Sequence, residues 1–404
     1  MGFLELLSVA SYPVMKVLLI TAIGVFLALD NIDVLGADAR KKVNNLVFYV
    51  FNPSLVGSNL AKTLTSENVL SLWFMPVNVI VTFILGSALA WILIKITRPP
   101  KHLEGLILGC CSAGNLGNLP IIIIPAICKD KDSPFGEPDI CYQYGMAYVS
   151  LSMAVGAVLI WTYVYYIMRV SSKTLHKESG TISQSQPDNI SETPTPAKDT
   201  LDDAYTQLLP TTESQEKVKV SISYKIKSQL WKISSNINFG HVFAPSTIGA
   251  ITGFSIGVIP PIRNFLVGNN APLRVVEDSA SMLGDAAIPT VTLILGANLL
   301  GGLKGTSTPL WTIVGIILVR YIFLPLLGVV IVKGAVKFGL VPSDPLYQFV
   351  LLLQYALPPA MNIGTMAQLF GTGQSEFSVI MLWSYALASI AVTLWSTYFM
   401  WLVA

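Results

Sequence analysis

Two apolar segments of the sequence contain residues that interrupt helices, and both carry polar side chains at the interruption. The first, residues 108–125, has Gly117 and Pro120 near its middle together with Asn115 and Asn118. Proline lacks the backbone N–H of a helical hydrogen bond, so backbone groups lose their partners at such a point. At membrane depth, irregular backbone is tolerated only where it is buried in protein or lines a water-filled cavity. The pattern therefore indicates a ligand site rather than a plain membrane helix.

The second interrupted segment, residues 354–362, has Pro358 and Pro359 in the middle of another apolar stretch, with Asn362 close by. Interrupted spans in matching places of two halves are the best sequence indication of a transporter's binding site. Each break would present a half-helix N-terminus, with free N–H groups and the positive end of the helix dipole. Neither segment contains Lys, Arg, Asp or Glu. The sequence thus predicts a site whose charge comes from dipoles and amides alone.

Such a site suits a small organic anion with an apolar body, such as an aromatic carboxylate. It is poorly equipped for a bare metal ion or a multiply charged phosphate. The candidate substrate-binding side chains are the amides near the breaks and two residues one turn before Pro358, namely Asn115, Asn118, Asn362, Gln354 and Tyr355. Each also has a structural interpretation. Asn118 could simply satisfy backbone groups freed beside Pro120, and Gln354 and Tyr355 could pack within the protein.

Ionisable residues inside apolar stretches form a second set of candidates. Asp285 lies near the end of a predicted span, and Arg320 lies near the middle of another. A charge at that depth must find partners inside the protein, and it is a functional hypothesis by default. For Arg320 we favour a structural ion pair or contacts to backbone carbonyls over contact with the substrate. Proton coupling through Asp285 is the alternative.

The composition excludes several classes of protein. Of 404 residues, 53% are hydrophobic and only 12% are charged, with a formal net charge of +2. Soluble domains carry about 25% charged residues, so this composition indicates a polytopic membrane protein. The net charge is too small for the excess of basic residues that is typical of nucleic-acid-binding proteins. The chain has no hydrolase, metalloprotease or nucleotide-loop motif, so we expect no enzyme activity, no metal and no cofactor. Whether Cys128 and Cys141, which flank one connection, form a disulfide is left open.

Windows of about 20 apolar residues predict an all-α membrane fold with ten spans. These spans are residues 9–29, 43–61, 70–95, 104–127, 144–168, 243–263, 278–301, 309–333, 347–370 and 377–402. The predicted domains are a first five-helix repeat at 1–169, a largely disordered loop at 170–241 and a second repeat at 242–404. Lys and Arg concentrate in the first and third connections and in this loop. That bias places the loop in the cytosol and both termini on the opposite side.

The two halves of the sequence resemble each other. Pro53 and Pro120 in the first half match Pro289 and Pro358 in the second at nearly the same offset along the chain. Because five spans per copy is an odd number, the two copies must have inverted topologies. This arrangement makes the fourth and ninth spans antiparallel and lets them cross at their breaks.

Short motifs in both halves carry a resemblance to a known family. They are Val50-Phe-Asn-Pro-Ser-Leu55, Asn118 with the Ile-Ile-Pro125 that follows, Leu159-Ile-Trp161, Leu283-Gly-Asp-Ala286, Leu295-Gly296, Val319-Arg-Tyr321 with Pro325, and Gln354-Tyr-Ala-Leu-Pro358. Through their order and spacing the chain resembles the auxin efflux carrier family of plants, and most of all its PIN-LIKES branch. The similarity covers all ten predicted spans and ends only in the long loop. Two departures are the short loop and Pro359-Ala-Met-Asn362 at the ninth-span break.

The resemblance implies a fold and a mode of action. Spans three to five and eight to ten would form a mobile transport domain, and the other four a scaffold that dimerises in the bilayer. Indole-3-acetate would move by an elevator-like motion, with its carboxylate near Asn118, which takes the place of the family's fourth-span Asn. The PIN-LIKES branch implies the endoplasmic reticulum membrane, with lumenal termini and a role in nuclear auxin availability.

We therefore expect a secondary carrier of auxin across the endoplasmic reticulum membrane. One alternative is a symporter or carrier of another small organic carboxylate. An alternative from a different class is a membrane receptor that binds auxin without transporting it.

Overall fold

Helices make up most of the computed structural model, which describes residues 3–65, 72–130, 133–172, 245–302 and 309–403. These residues contain no β-strand, although Gly114 and Pro359 form one isolated antiparallel bridge. They all belong to one structural unit, residues 1–175 and 239–404. The predicted loop at 170–241 lies outside the described residues from position 173 onward, as does the boundary it would set between two domains.

The helices follow the order in which the sequence predicts them, but several predicted spans consist of two pieces. The helices are Phe3–Leu27, Ala37–Leu46, Asn52–Thr63, Phe74–Thr97, Lys101–Ser112, Asn118–Cys128, Pro138–Leu159, Pro245–Val258, Pro260–Leu266, Arg274–Asp285, Ala287–Gly302, Leu310–Leu318, Leu324–Lys337, Pro345–Leu353, Asn362–Phe370 and Gln374–Val403. Three π-helical turns, Val47–Phe51, Ile160–Val164 and Val319–Phe323, each continue the preceding helix.

Within the described ranges, five helices are long and apolar enough to cross a membrane by themselves, or six if one bent pair is counted as a span. They are Phe74–Thr97, Pro138–Ser172, Arg274–Leu300, Leu310–Lys337 and Gln374–Val403. The all-α membrane fold is therefore confirmed. The predicted fourth and ninth spans are not continuous helices, because they are interrupted at residues 113–117 and 354–361.

The predicted span at 243–263 is not a straight helix. Helix Pro245–Val258 and helix Pro260–Leu266 meet at an angle of 102°, with Ile259 between them in an extended conformation. The cause lies in the sequence, because a residue that precedes proline is disfavoured in the helical region. Pro260 and Pro261 therefore end one helix and start the next.

Glycines allow the helices of the first and second halves to pack at very short distances. Helix Pro245–Val258 lies on helix Asn52–Thr63 along a row of glycines spaced by four residues: Gly249, Gly253 and Gly257. A Cβ atom on Gly249 would lie 2.5 Å from the carbonyl oxygen of Pro53, which is shorter than any real contact. In lipid, such small residues let backbones approach and gain van der Waals contact. The glycine row thus fixes how these two helices pack.

A disulfide joins Cys128 to Cys141, with a Cα–Cα distance of 5.5 Å. It links the end of helix Asn118–Cys128 to the start of helix Pro138–Leu159. This answers the question that the sequence leaves open. Cys110 and Cys111 are buried free thiols.

We expect Gly253→Ala to destabilise the protein, because the new Cβ would collide with the backbone of Gly57 on the neighbouring helix. Overpacking of this kind costs about 1–3 kcal/mol. Gly334→Ala is the matched control, since a Cβ there meets nothing within 4 Å and Gly334 also lies inside a helix. Thermal unfolding in detergent measures both. Equal midpoints for the two variants would contradict the packing argument.

Candidate functional site

The two interrupted segments meet each other at their breaks. In the first broken segment, residues 101–128, the non-helical part is 113–117, and in the second, residues 345–370, it is 354–361. The N–H of Asn115 donates to the carbonyl of Pro358 over 2.8 Å. The N–H of Ala360 donates to the carbonyl of Ala113 over 2.9 Å. We call this short antiparallel pairing the crossing.

The prolines and glycines of the breaks have different roles. Pro358 and Pro359 lie in the middle of the second break, as their sequence position predicts. Gly117 is the residue that precedes helix Asn118–Cys128. Pro120 does not interrupt that helix, because it lies in the first turn, where a missing N–H removes no helical hydrogen bond. The first break is therefore made by the residues before Pro120.

Asn115 holds the crossing together. Its Oδ1 accepts a hydrogen bond from the N–H of Asn118 over 3.1 Å, which caps the second half-helix of the first broken segment. Its Nδ2 donates to the hydroxyl of Tyr385 over 2.8 Å, and that hydroxyl donates to the carbonyl of Pro359 over 3.1 Å. Asn115 is only 5% exposed. Its amide is thus used by the protein itself, and its role is to position the two breaks.

A small cavity of about 50 Å³ lies beside the crossing, and we call it the central cavity. Its polar lining comes from both breaks and from two other helices: Asn52, Asn115, Asn118, Ser246 and Asn362. The Nδ2 of Asn118 contacts the Met361 sulfur at 3.8 Å, a weak acceptor. Among the described residues, the side chains of Asn52 and Asn362 have no hydrogen-bond partner. Three amides and the first turns of two half-helices therefore offer donors to this cavity.

A larger cavity of about 460 Å³ adjoins the central cavity, and we call it the vestibule. The two share Asn52, Met361 and Asn362 in their walls. The vestibule lies between helices of the first and second halves, with apolar walls that include Phe48 and Phe377. At its other end lie the charged residues Asp38, Arg40 and Lys41. Two positive charges and one negative charge give this end of the vestibule a net positive charge, which attracts anions toward the cavity.

Gln354 and Tyr355 do not reach the central cavity. Gln354 is 2% exposed, donates to Ser152 over 2.8 Å and accepts from Asn78 over 2.7 Å. The hydroxyl of Tyr355 donates to Asn78 over 2.9 Å. Gln354 therefore joins the second broken segment to helices Phe74–Thr97 and Pro138–Leu159, and Tyr355 joins it to helix Phe74–Thr97. This agrees with the packing interpretation of these two residues.

The structure separates the two candidate charges. Asp285 is exposed at the end of helix Arg274–Asp285. Arg320 is fully buried in the π-helical turn Val319–Phe323, and its guanidinium donates to the carbonyls of Cys111 and Pro358, each over 3.1 Å. These are the carbonyl contacts that the sequence analysis favours. The expectation that dipoles and amides alone supply charge is incomplete, because a cation from a third segment lies at the crossing.

Three residues at or near the candidate site are not among those that the sequence predicts. Asn52 lines both cavities, Tyr385 binds both breaks, and Asn78 holds Gln354 and Tyr355. Asn52 had a detectable signal, since an amide next to Pro53 within an apolar stretch resembles the other two breaks. Tyr385 and Asn78 lie in unbroken helices, where the sequence offers no such signal.

The geometry is that of a membrane carrier, with two broken helices that meet beside a polar cavity. The family described as "Membrane transport protein" matches residues 9–396, so the chain belongs to it. Within that family its relatives are PIN-LIKES proteins of Arabidopsis thaliana. PIN-LIKES 3 is 53% identical over 99% of both chains, PIN-LIKES 4 is 47% identical over 100% of both, and PIN-LIKES 6 is 30% identical over 96% of this chain and 92% of the relative.

These matches confirm the resemblance that the motifs indicate. The chain belongs to the PIN-LIKES proteins, and the family consists of membrane transporters and not of enzymes.

We expect Tyr385→Phe to destabilise the crossing, because it leaves buried Asn115 Nδ2 and the Pro359 carbonyl without this partner. A buried polar group that loses its hydrogen bond costs about 1–3 kcal/mol. Tyr398→Phe removes a hydroxyl with no partner among the described residues and is the matched control. Thermal unfolding should show a lower midpoint for Tyr385→Phe alone. A parallel shift in both variants would remove Tyr385 from this role.

Proposed function

We propose that this protein is a carrier of indole-3-acetate, a small organic anion with an apolar ring. The observation that carries the proposal is the central cavity, where the amides of Asn52, Asn118 and Asn362 meet beside the first turns of two half-helices. Hydrogen-bond donors and dipole ends of this kind bind carboxylates. The family supports transport, and the resemblance of the motifs supports auxin as the substrate.

The two cavities suit the two parts of such a ligand. A volume of about 50 Å³ holds a carboxylate or one to two waters, but not an aromatic ring system. The vestibule, at about 460 Å³, has room for the ring between apolar side chains such as Phe48 and Met381. We therefore place the carboxylate against Asn118 and Asn362 and the ring in the vestibule.

The proposal includes ten spans in two inverted repeats. The interrupted helices support it, since each broken segment, taken as one span, has the length to cross a bilayer. The spans would then be 3–27, 37–63, 74–97, 101–128, 138–172, 245–266, 274–302, 310–337, 345–370 and 374–403. Five spans precede the long loop and five follow it, in agreement with the repeated prolines.

Polar contacts support an elevator-like motion of one set of helices against another. The proposed scaffold comprises the described residues 3–65 and 245–302, and the proposed transport domain comprises 72–172 and 309–403. Among hydrogen bonds between described residues, one joins the two sets, from Asn44 to Thr365, and it is long at 3.4 Å. Bonds within each set are numerous, such as Arg40 to Ala297 and Tyr148 to Asp344. The boundary between the sets thus carries few bonds that a sliding motion would break.

The disulfide supports the proposed location in the endoplasmic reticulum membrane. Disulfides persist in oxidising compartments such as the lumen of this organelle. The orientation from Lys and Arg places the connection with Cys128 and Cys141 on the lumenal side and the mouth with Arg40 and Lys41 in the cytosol. In this orientation the vestibule opens to the cytosol and both termini are lumenal. A homodimer through the scaffold rests on the resemblance alone.

Uptake of radiolabelled indole-3-acetate into proteoliposomes tests the proposal, with and without a pH gradient. Uptake above empty liposomes is the expected result, and its response to the gradient would show whether protons are coupled. Binding without uptake would favour the alternative of a membrane receptor that binds auxin without transporting it. Loss of uptake on removal of sodium, or competition by other carboxylates alone, would favour a different symporter.

We expect Asn118→Ala to weaken indole-3-acetate binding by about 1–3 kcal/mol, the cost of leaving a charged group without its hydrogen bond. Asn59→Ala is the matched control, because it makes the same change on helix Asn52–Thr63 away from both cavities. Competition binding to folded protein measures the difference. Unchanged affinity in a folded Asn118→Ala variant would remove Asn118 from the site.

The orientation predicts which cysteines an impermeant maleimide can reach in sealed microsomes. Glu137→Cys places a thiol on the exposed connection between the two disulfide-bonded cysteines and should react only after the membrane is opened, since the lumen shields it. Asp38→Cys places a thiol at the exposed mouth of the vestibule and should react in sealed vesicles. The buried Cys110 and Cys111 should react in neither case. The opposite labelling pattern would invert the proposed topology.

A further inference from the structure

Arg320 is a buried cation without a carboxylate partner. Its exposed fraction is 0%, and its Nη1 and Nη2 atoms donate to the carbonyls of Cys111 and Pro358, one in each broken segment. Its Nε has no hydrogen-bond partner among the described residues. The ion pairs in that part of the chain are Lys62 with Glu277 and Arg274 with Asp278, so none includes Arg320. The guanidinium therefore keeps its full charge beside the crossing.

The helix ends at the crossing would not by themselves give a positive site. Helices Asn118–Cys128 and Asn362–Phe370 begin there, but helices Lys101–Ser112 and Pro345–Leu353 end there. Each N-terminus acts as about +0.5 charge and each C-terminus as about −0.5, so the four ends largely cancel. Cys111 lies in the last turn of its helix, and its carbonyl belongs to the negative end. Arg320 binds that carbonyl and shifts the balance to a net positive charge.

The guanidinium lies directly behind the wall of the central cavity. A Cβ atom on Gly114 would be 2.6 Å from Arg320 Nη2, so the glycine leaves the space that the cation fills. Gly114 itself lines the cavity, as does its neighbour Asn115. The charge is thus separated from the cavity by little more than the backbone of the first break. In such a buried setting one unit charge acts over several ångströms with little screening.

We infer that Arg320 is the residue that makes the central cavity selective for anions, although it does not touch the ligand. The inference rests on the proposed function and deepens it, because it names the source of the charge at the same site. Arg320 has two roles in this account. It pins the two breaks together through their carbonyls, and it supplies the positive potential that the amides and cancelling helix ends do not.

The first test compares Arg320→Gln with Arg320→Lys. The readout is the ratio of affinities for indole-3-acetate and for its neutral amide, indole-3-acetamide, measured by competition on folded protein. We expect Arg320→Gln, which keeps two N–H donors but loses the charge, to reduce the anion preference about tenfold or more. Arg320→Lys keeps the charge and should keep most of the preference. A folded Arg320→Gln variant with the wild-type ratio would show that Arg320 only pins the backbone, and would overturn the inference.

A second pair of variants keeps Arg320 in place. Cys111 is in direct contact with the guanidinium, since its carbonyl accepts the hydrogen bond from Arg320 Nη1 over 3.1 Å. Cys111→Asp should neutralise Arg320 and remove the anion preference, whereas Cys111→Asn, its uncharged isostere, should retain it. If both Arg320 variants fail to fold, the two Cys111 variants test the inference in their place. Equal ratios of anion to amide affinity in Cys111→Asp and Cys111→Asn would contradict the inference. It would also be contradicted if Cys111→Asp failed to fold while Cys111→Asn folded, because Arg320 would then be unable to pair with the new carboxylate.

The wild-type measurement separates this inference from the proposed function. If the wild type binds neither indole compound, the proposed substrate is wrong, and the same variants are then compared with benzoate and benzamide. Loss of the preference for benzoate in Arg320→Gln and Cys111→Asp would still support the role of Arg320. If the preference for benzoate over benzamide survived in both variants, Arg320 would not be the source of selectivity for aromatic carboxylates.

Discussion

The structure depends on the need to satisfy backbone groups where two helices are broken inside an apolar protein. Each break leaves carbonyls and N–H groups without helical partners, and lipid offers none. The breaks meet this need with each other, through the bonds between Asn115 and Pro358 and between Ala360 and Ala113. Tyr385 binds the Pro359 carbonyl, and Arg320 binds the Cys111 carbonyl and is a second donor to the Pro358 carbonyl. Because these partners come from other segments, neither break satisfies its backbone groups alone. A second polar cluster, Asn78, Gln354 and Tyr355, holds the second broken segment to helix Phe74–Thr97.

This arrangement explains why the proposed binding groups lie next to structural groups. Asn115 and Asn118 are three residues apart. The Asn115 amide binds Tyr385 and caps a half-helix, whereas the Asn118 amide makes only a weak contact with a sulfur. The first amide makes the geometry that lets the second face the cavity. In a carrier this division is useful, because the substrate must bind to groups that are already held in place and must be able to leave them again.

The proposed scaffold and transport domain are each held together by contacts among their own helices. Close glycine packing joins helix Pro245–Val258 to helix Asn52–Thr63, and the crossing joins the broken segments to helix Gln374–Val403. Between the sets lie the two cavities and a single long hydrogen bond among the described residues. Apolar packing also joins the sets, since helix Phe3–Leu27 lies against helix Gln374–Val403, so the proposed rigid-body motion would slide along apolar rather than hydrogen-bonded surfaces.

The sequence by itself determined the all-helical membrane class, the position of both breaks and the amides beside them, because proline, glycine and apolar length act locally. It also gave the family, through short motifs that the comparison with PIN-LIKES proteins confirms. It did not indicate that Pro120 lies in the first turn of a helix instead of interrupting one, nor that the span predicted at 243–263 bends by 102° after Val258. Only the tertiary structure decided which amides face a cavity, that Asn52 joins them, that Cys128 pairs with Cys141, and that Arg320 reaches the crossing. Those outcomes depend on contacts between residues far apart in the chain, and no local pattern encodes such distances.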